Sequence, residues 1–442
     1  MDQPPNRAYN ILVLHAYHYE YPPRATSRDW LYSFRRYGGQ RCFYWNVYYF
    51  SEPSFIRAIK WDLIIFTDLF VVERWNLARF DTLLKKIESL KHISATKALV
   101  AQDEFIYSAA LCKLVNEFDI GFVFTCAKQA DWEKIYEDVN FEKVKFQTVL
   151  TGYLDESTLA RIAKLALREN PDRSIDVGYR SKKVPPSLGR HGLLKSTVAD
   201  VFRAKAPEKG FKIDISLLPR DTFLGDDWYR FLLRCKYFIG VEGGASILDK
   251  YGYFRRAADL YLETHPGAEY AEIEVACFPG QDGTLGLKAI SPRHLEACAT
   301  RTCQILIEGN YNEILQPGKH YIELKQDFSN LDQVLETLKD ENLRWKIVEQ
   351  AYQDIVQSGL YTYRNFVSSI FTPTLAGQRK SPANFQIAFA LIQSYILDML
   401  GWAILATWAL FLRNPLRGIQ AALPHVWGLK MKKIFRKFNK DF

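Results

Sequence analysis

In the stretch AISPRHLEACATRTCQILIEG (residues 289–309), Glu296 projects from the second turn of a helix that leads straight into a strand. Ser291 suits the helix cap and Pro292 the first helical position, while CQILIE (303–308) reads as a short buried strand. Ligands of open parallel sheets gather at strand ends and helix N-termini, so a carboxylate here stands where a ligand would sit. About a hundred residues earlier, RSIDVGYR (173–180) is a strand ending in arginine, and GRHGLLK (189–195) opens a helical pattern with Arg190 and Lys195 five positions apart. Between these segments, FIGVEGGASILD (238–249) runs an apolar strand into Glu242, Gly243, Gly244, Ala245 and Ser246. Glycines at a strand end permit positive φ and let backbone amides approach an anionic or sugar ligand. Each feature has a plainer alternative: an acid facing a helix dipole, a solvated helix start, an ordinary tight turn.

The first third of the chain offers other reactive types at strand ends. His15 and His18 follow the apolar run NILVLHA (10–16), and Gln102, Asp103 and Glu104 follow KALVA (97–101). A general base or an acceptor-binding group belongs at such an end if it faces a cleft. The alternatives are packing of the histidines in the aromatic loop HAYHYEYPP and capping of the next helix by the acids.

Strands at 10–16, 42–49, 62–67 and 97–101 alternate with helical patterns such as 80–90, and 289–309 is a further αβ unit. This is the alternation of doubly wound α/β sheets. A chain of 442 residues with 48% hydrophobic residues has room for two or three domains with substantial cores. The reading places a first lobe at 1–150, a second at 151–371 with the junction near 146–156, a polar linker at 372–386 and a terminal region at 387–442. Seven cysteines form no CxxC or zinc spacing, and the polar start MDQPPNRAYN carries no cleavable signal, which implies a cytoplasmic body with reduced thiols and no resident metal.

On these segments the chain resembles a GT-B glycosyltransferase, most closely the large retaining family four and its spore-maturation-like relatives. The family's R-x-F-E-A helix is matched by Arg293, His294, Leu295, Glu296 and Ala297, and its glutamate would take the ribose hydroxyls of a nucleotide-sugar donor. A carboxylate can accept from two vicinal hydroxyls at once. The family's diphosphate element is matched by Gly189, Arg190 and Lys195, or by Arg180 in place of Arg190, since Gly189 follows Arg180 by nine positions instead of directly. Cations there would stabilise the diphosphate as it leaves. The resemblance also implies donor contacts from Arg293, His294, Glu242, Gly243, Gly244 and Ser246, and a first lobe supplying Asp103 and His15 for catalysis with Glu104 and His18 for the acceptor. It further implies retention of configuration, with no cofactor beyond the nucleotide sugar. One departure is plain: the family often has a second glutamate eight positions before the first, and here Lys288 stands there.

The last sixty residues change character. Residues 387–412 carry a single charge, Asp398, over 26 positions, long enough as a helix to cross a bilayer core of about 30 Å. Residues 413–442 then hold eight Lys or Arg against one Asp, a net +7 of the chain's +8. Nearly all the basicity is therefore local, which argues against a nucleic-acid groove in the body. Lys432, Lys433, Arg436 and Lys437 fill one face of an amphipathic pattern suited to anionic lipid, with Trp402 and Trp408 as interfacial anchors. A single span would export the basic tail from a cytoplasmic body, so a helix that dips and returns, or lies in the interface, is expected. A buried hairpin or a dimer interface is the alternative, which leaves a homo-oligomer open. The expectation is thus a monotopic or peripheral enzyme on the cytoplasmic face. It would move a sugar from a nucleotide diphosphate to a lipid-linked or glycan acceptor made at the membrane. The alternative is a silent nucleotide-sugar-binding scaffold.

Overall fold

The computed structural model describes residues 7–19, 25–169 and 173–408. Two parallel sheets organise it. The first contains β1 (Asn10–His15), β2 (Arg41–Asn46), β3 (Leu63–Phe66), β4 (Thr96–Val100), β5 (Phe122–Thr125) and β6 (Lys145–Thr148), in the order β2-β1-β3-β4-β5-β6. The second contains β7 (Ile175–Arg180), β8 (Ile213–Ser216), β9 (Cys235–Gly240), β12 (Cys303–Ile307) and β13 (Ile322–Leu324), in the order β13-β12-β9-β7-β8. Strands β1 and β3 are buried along their whole length, as expected of central parallel strands covered on both faces. Strand order reverses between β1 and β3 in one sheet and between β7 and β9 in the other, which leaves a crevice at the carboxyl ends of each pair.

Between β9 and β12 the chain inserts a two-stranded antiparallel ribbon, β10 (Gly243–Ala245) with β11 (Leu287–Ala289), pairing Gly244 with Lys288. Gly244 has φ +106°, and a Cβ there would stand 1.9 Å from the Leu287 carbonyl oxygen, so the ribbon closes only around glycine.

The helices that matter to the cleft are α1 (Ala25–Tyr37), α2 (Asp68–Val71), α3 (Gly189–Lys205), α4 (Asp226–Arg234), α5 (Pro292–Ala299), α6 (Tyr363–Thr374) and α7 (Phe385–Trp408). The chain crosses back after the second sheet: Tyr363, Phe366 and Ile370 of α6 share a core with Trp30 and Phe34 of α1 in the first lobe.

The apolar helix α7 is bound to that same lobe. Ser394 Oγ accepts from the Tyr44 amide at 2.8 Å and donates to its carbonyl at 3.3 Å, which satisfies Tyr44 on the open edge of β2. Asp398, the lone charge of the apolar run, receives the Tyr32 hydroxyl at 2.6 Å and lies 3.5 Å from Arg35. Trp402 corrects an expectation. It packs inward on Tyr17 at 5.2 Å, lies under Arg28 at 4.9 Å, and donates its indole N–H to the Tyr32 hydroxyl, so it is no lipid anchor. The opposite face of α7 exposes Phe385, Phe389, Ile392, Ile396 and Met399. The Trp408 side chain and Lys432, Lys433, Arg436 and Lys437 lie outside the described residues.

Candidate active site

A cavity of about 600 Å³ opens between the lobes at the carboxyl ends of both sheets, within the roughly 300–1,000 Å³ of small-molecule sites. The second lobe lines it with Arg180, Lys195, Gly243, Gly244, Arg293, His294 and Glu296. The first lobe contributes Asp68, Gln102 and Asp103, and the start of α1 adds Thr26, Ser27 and Trp30.

Helix α5 holds three of these side chains by its first turn. The Ser291 side chain accepts from the third helical amide while His294 Nδ1 takes the Ser291 amide at 3.0 Å, a reciprocal cap with Pro292 at the start. Burial first, then the neighbouring Arg293, pushes the His294 imidazole down to about 3, so it stays neutral. Two residues on, Glu296 receives the Trp228 indole N–H at 2.8 Å and the Tyr229 hydroxyl at 3.4 Å, both from α4. Burial pushes its carboxyl up to about 7 against the pull of these bonds and of Arg293. Trp228 was not foreseen; the sequence signal for it was only an amphipathic helix with tryptophan and tyrosine adjacent.

Lys195 comes from the second turn of α3 and forms no salt bridge among the described residues. Its pKa is lowered, mainly by burial, with Asp103 opposing and Arg293 and Lys182 adding repulsion. Arg293 donates to the Arg180 carbonyl at 2.9 Å and lies 5.9 Å from the Trp228 ring centroid. Lys195 and Arg293 thus repel one another across a space that an anion would relieve.

Neither arginine matched to the diphosphate element is free for that work. Arg180 lines the cavity but spends its guanidinium on the Asp214 carboxylate at 2.6 Å and on carbonyls of Tyr179, Asp214 and Asp221, stacked against Phe231. Arg190 points away from the cavity to Glu274 and Asp282. Asp282 also takes the Arg190 amide at 3.1 Å, the Ser246 hydroxyl at 2.6 Å and the Tyr270 hydroxyl at 2.9 Å, so an internal carboxylate already covers the N-terminus of α3. Ser246 is therefore outside the cavity, as is Glu242, which is buried and accepts from the amides of Tyr311 at 2.7 Å and Asn310 at 3.3 Å.

Three of the four first-lobe candidates are also placed elsewhere. His15 is buried among aromatic neighbours, its pKa pushed down to about 3 by burial and then by Arg35. His18 is fully buried, 3.0 Å from the Glu73 carboxylate and stacked on Tyr48. Glu104 turns into the core to accept from the Tyr136 hydroxyl at 2.7 Å and the Cys126 amide at 3.1 Å. Asp103 alone faces the cavity, at φ +50°. The buried Arg74 pins that loop by donating to the carbonyls of Gln102, Asp103, Val71 and Ile106. Beside it stands Asp68, which the sequence reading missed although LIIFTD sets an acid at the end of β3 just as KALVAQD does for β4.

No family model matches the chain, and no curated protein matches it. Among solved structures, it is similar to a glycosyltransferase from Rickettsia africae, at 9% identity over 84% of this chain and 100% of the other, with a TM-score of 0.46. HepE of Anabaena, solved with UDP-glucose, gives 10% identity over 82% and 99% with a TM-score of 0.44. TarM gives 11% identity with a TM-score of 0.42, covering 71% of this chain; this chain spans only 55% of TarM. Such distant likenesses carry no information about individual side chains. On its own geometry, with two doubly wound lobes facing each other over a cavity at their strand ends and the terminal helices returned to the first lobe, the chain has the GT-B fold.

Proposed function

We propose that this protein is a glycosyltransferase that uses a nucleotide diphosphate sugar, bound against the second lobe. The observation that carries this reading is the convergence of Lys195, Arg293 and Glu296 on one interlobe cavity. Lys195 and Arg293 neutralise the diphosphate, most strongly as it departs, while Glu296 takes the ribose hydroxyls in exchange for one of its present partners. Gly243 and Gly244 bring backbone close to the sugar, and the first-lobe acids meet the acceptor. The acceptor is made at a membrane: the exposed apolar ridge of α7 and the basic segment that follows it suit a monotopic enzyme on an anionic surface, lying on the bilayer instead of crossing it.

A thermal-shift screen against UDP-, GDP- and dTDP-sugars tests the donor half, with Glu296→Ala as control. Stabilisation of wild type alone supports it; no shift with any member overturns it. Flotation with vesicles of phosphatidylglycerol and phosphatidylcholine tests the membrane half, which fails if the full chain stays with the soluble fraction.

A second reading has one observation in its favour. Lys288 holds the register of the family's other glutamate and pairs with Gly244 in the ribbon, consistent with a scaffold that binds nucleotide sugar without turnover. Release of nucleoside diphosphate from a bound donor separates the two.

A further inference from the structure

Resting on the glycosyltransferase reading, we infer that Asp68 is the group that takes the proton from the attacking acceptor hydroxyl, and that Asp103 tunes it. Asp68 follows β3 beside the β1/β3 reversal and lines, from the first lobe, the cavity that Lys195, Arg293 and Glu296 line from the second. Its Oδ1 accepts the Gln102 amide at 3.0 Å, which fixes the carboxylate plane, and Oδ2 accepts no hydrogen bond among the described residues.

The charged groups around Asp68 select it over its neighbours. Arg74 stands behind it, but the hydrogen bonds of that guanidinium go to four backbone carbonyls, and Asp68 has no salt bridge among the described residues. Asp103 and Glu104, from the loop after β4, add like charge. Burial and then Asp103 push the Asp68 carboxyl up to about 7, with Arg74 and the Gln102 amide opposing. A base works best with a proton affinity near the working pH and no cation holding its charge. Asp103, by contrast, is the counter-charge to Lys195. The three histidines considered for the cleft are unsuited as well: His15 and His18 are buried outside it, and His294 spends Nδ1 on its helix cap.

In the step, the acceptor oxygen forms a bond to the anomeric carbon and its proton passes to Asp68. The bond from that carbon to the diphosphate oxygen breaks, and its electron pair leaves with the nucleoside diphosphate held by Lys195 and Arg293.

The test uses the full chain and the nucleotide sugar that shifts wild type most, with water as acceptor and nucleoside diphosphate release as the rate. Asp68→Asn is expected to keep the donor thermal shift and lose about 100-fold or more in turnover, with partial rescue in Asp68→Glu. Wild-type turnover is expected to rise with pH through about 7, and Asp103→Asn, by removing the like charge, to move that rise to lower pH. Asp68→Asn that binds donor and turns over within threefold of wild type, or an unmoved pH profile in Asp103→Asn, overturns the inference while leaving the donor reading intact. A wild-type chain that binds no nucleotide sugar overturns both.

Discussion

The Tyr32 hydroxyl donates to Asp398 at 2.6 Å, joining helix α1 to the middle of the apolar helix α7. An acid in the middle of a 24-residue apolar helix would be costly in lipid; here it is turned onto the first lobe, with Arg35 at 3.5 Å. The same α1 presents Thr26, Ser27 and Trp30 to the interlobe cavity. One helix thus touches both the reaction space and the element that exposes an apolar ridge.

Tyr32→Phe is expected to loosen α7. It removes the donor to a shielded carboxylate and the acceptor of the Trp402 indole N–H, a loss of about 1.5–3 kcal/mol by the usual worth of bonds to charged groups. Urea unfolding of wild type and variant measures it, and equal midpoints would show that the contact holds nothing in place.

Lys195→Ala and Arg190→Ala are expected to part company. Lys195 faces the cavity, so its loss is expected to lower kcat by about 100-fold with a smaller change in donor affinity. Arg190 is largely exposed and pairs with Glu274 and Asp282 outside the cavity, so its loss is expected to change kcat less than threefold. Comparable kinetic losses in both would return Arg190 to the diphosphate site.

Glu296→Gln is expected to stabilise the free protein at pH 8 and not at pH 4. The Glu296 carboxyl is raised from 4.5 to about 7 in the fold, so its ionisation opposes folding. That penalty is absent below about 4.5, grows between 4.5 and 7, and is complete above, at no more than about 3 kcal/mol. The amide keeps the Trp228 bond without ionising. Melting temperatures of the two chains across this range check the sign; a difference independent of pH would refute it.

Gly244→Ala is expected to open the β10–β11 ribbon. The residue sits at φ +106° with the Leu287 carbonyl in the way of any Cβ, and backbone strain of this kind costs about 1–3 kcal/mol. The melting temperature and the donor thermal shift should both fall, while Gly243→Ala, with its nearest contact at 3.5 Å, should fold normally.

Much of the architecture could be read along the chain because the signals were local. NILVLH and LIIF are continuous apolar runs, the pattern of strands buried on both faces, and Ser291 with Pro292 marked the start of α5, and so the position of Glu296, from the sequence alone. The β10–β11 ribbon escaped because its strands lie about forty residues apart and each is only three residues long.

The sequence by itself determined the residue types at each strand end, the helix that carries Glu296 and the contrast between an even-charged body and a basic tail. Which strand-end groups reach the cavity was decided only by tertiary structure. Arg190 has suitable spacing to Lys195, but Asp282, from a loop 92 positions later, draws it away; His18 is taken by Glu73 and Glu104 by Tyr136. The apolar run 387–412 reads as a possible membrane span until Tyr32 and Arg35, more than 360 residues earlier, claim Asp398. The physical reason is common to these cases. A polar side chain turns toward the partner that best satisfies it in the folded state, and that partner lies far away in the chain.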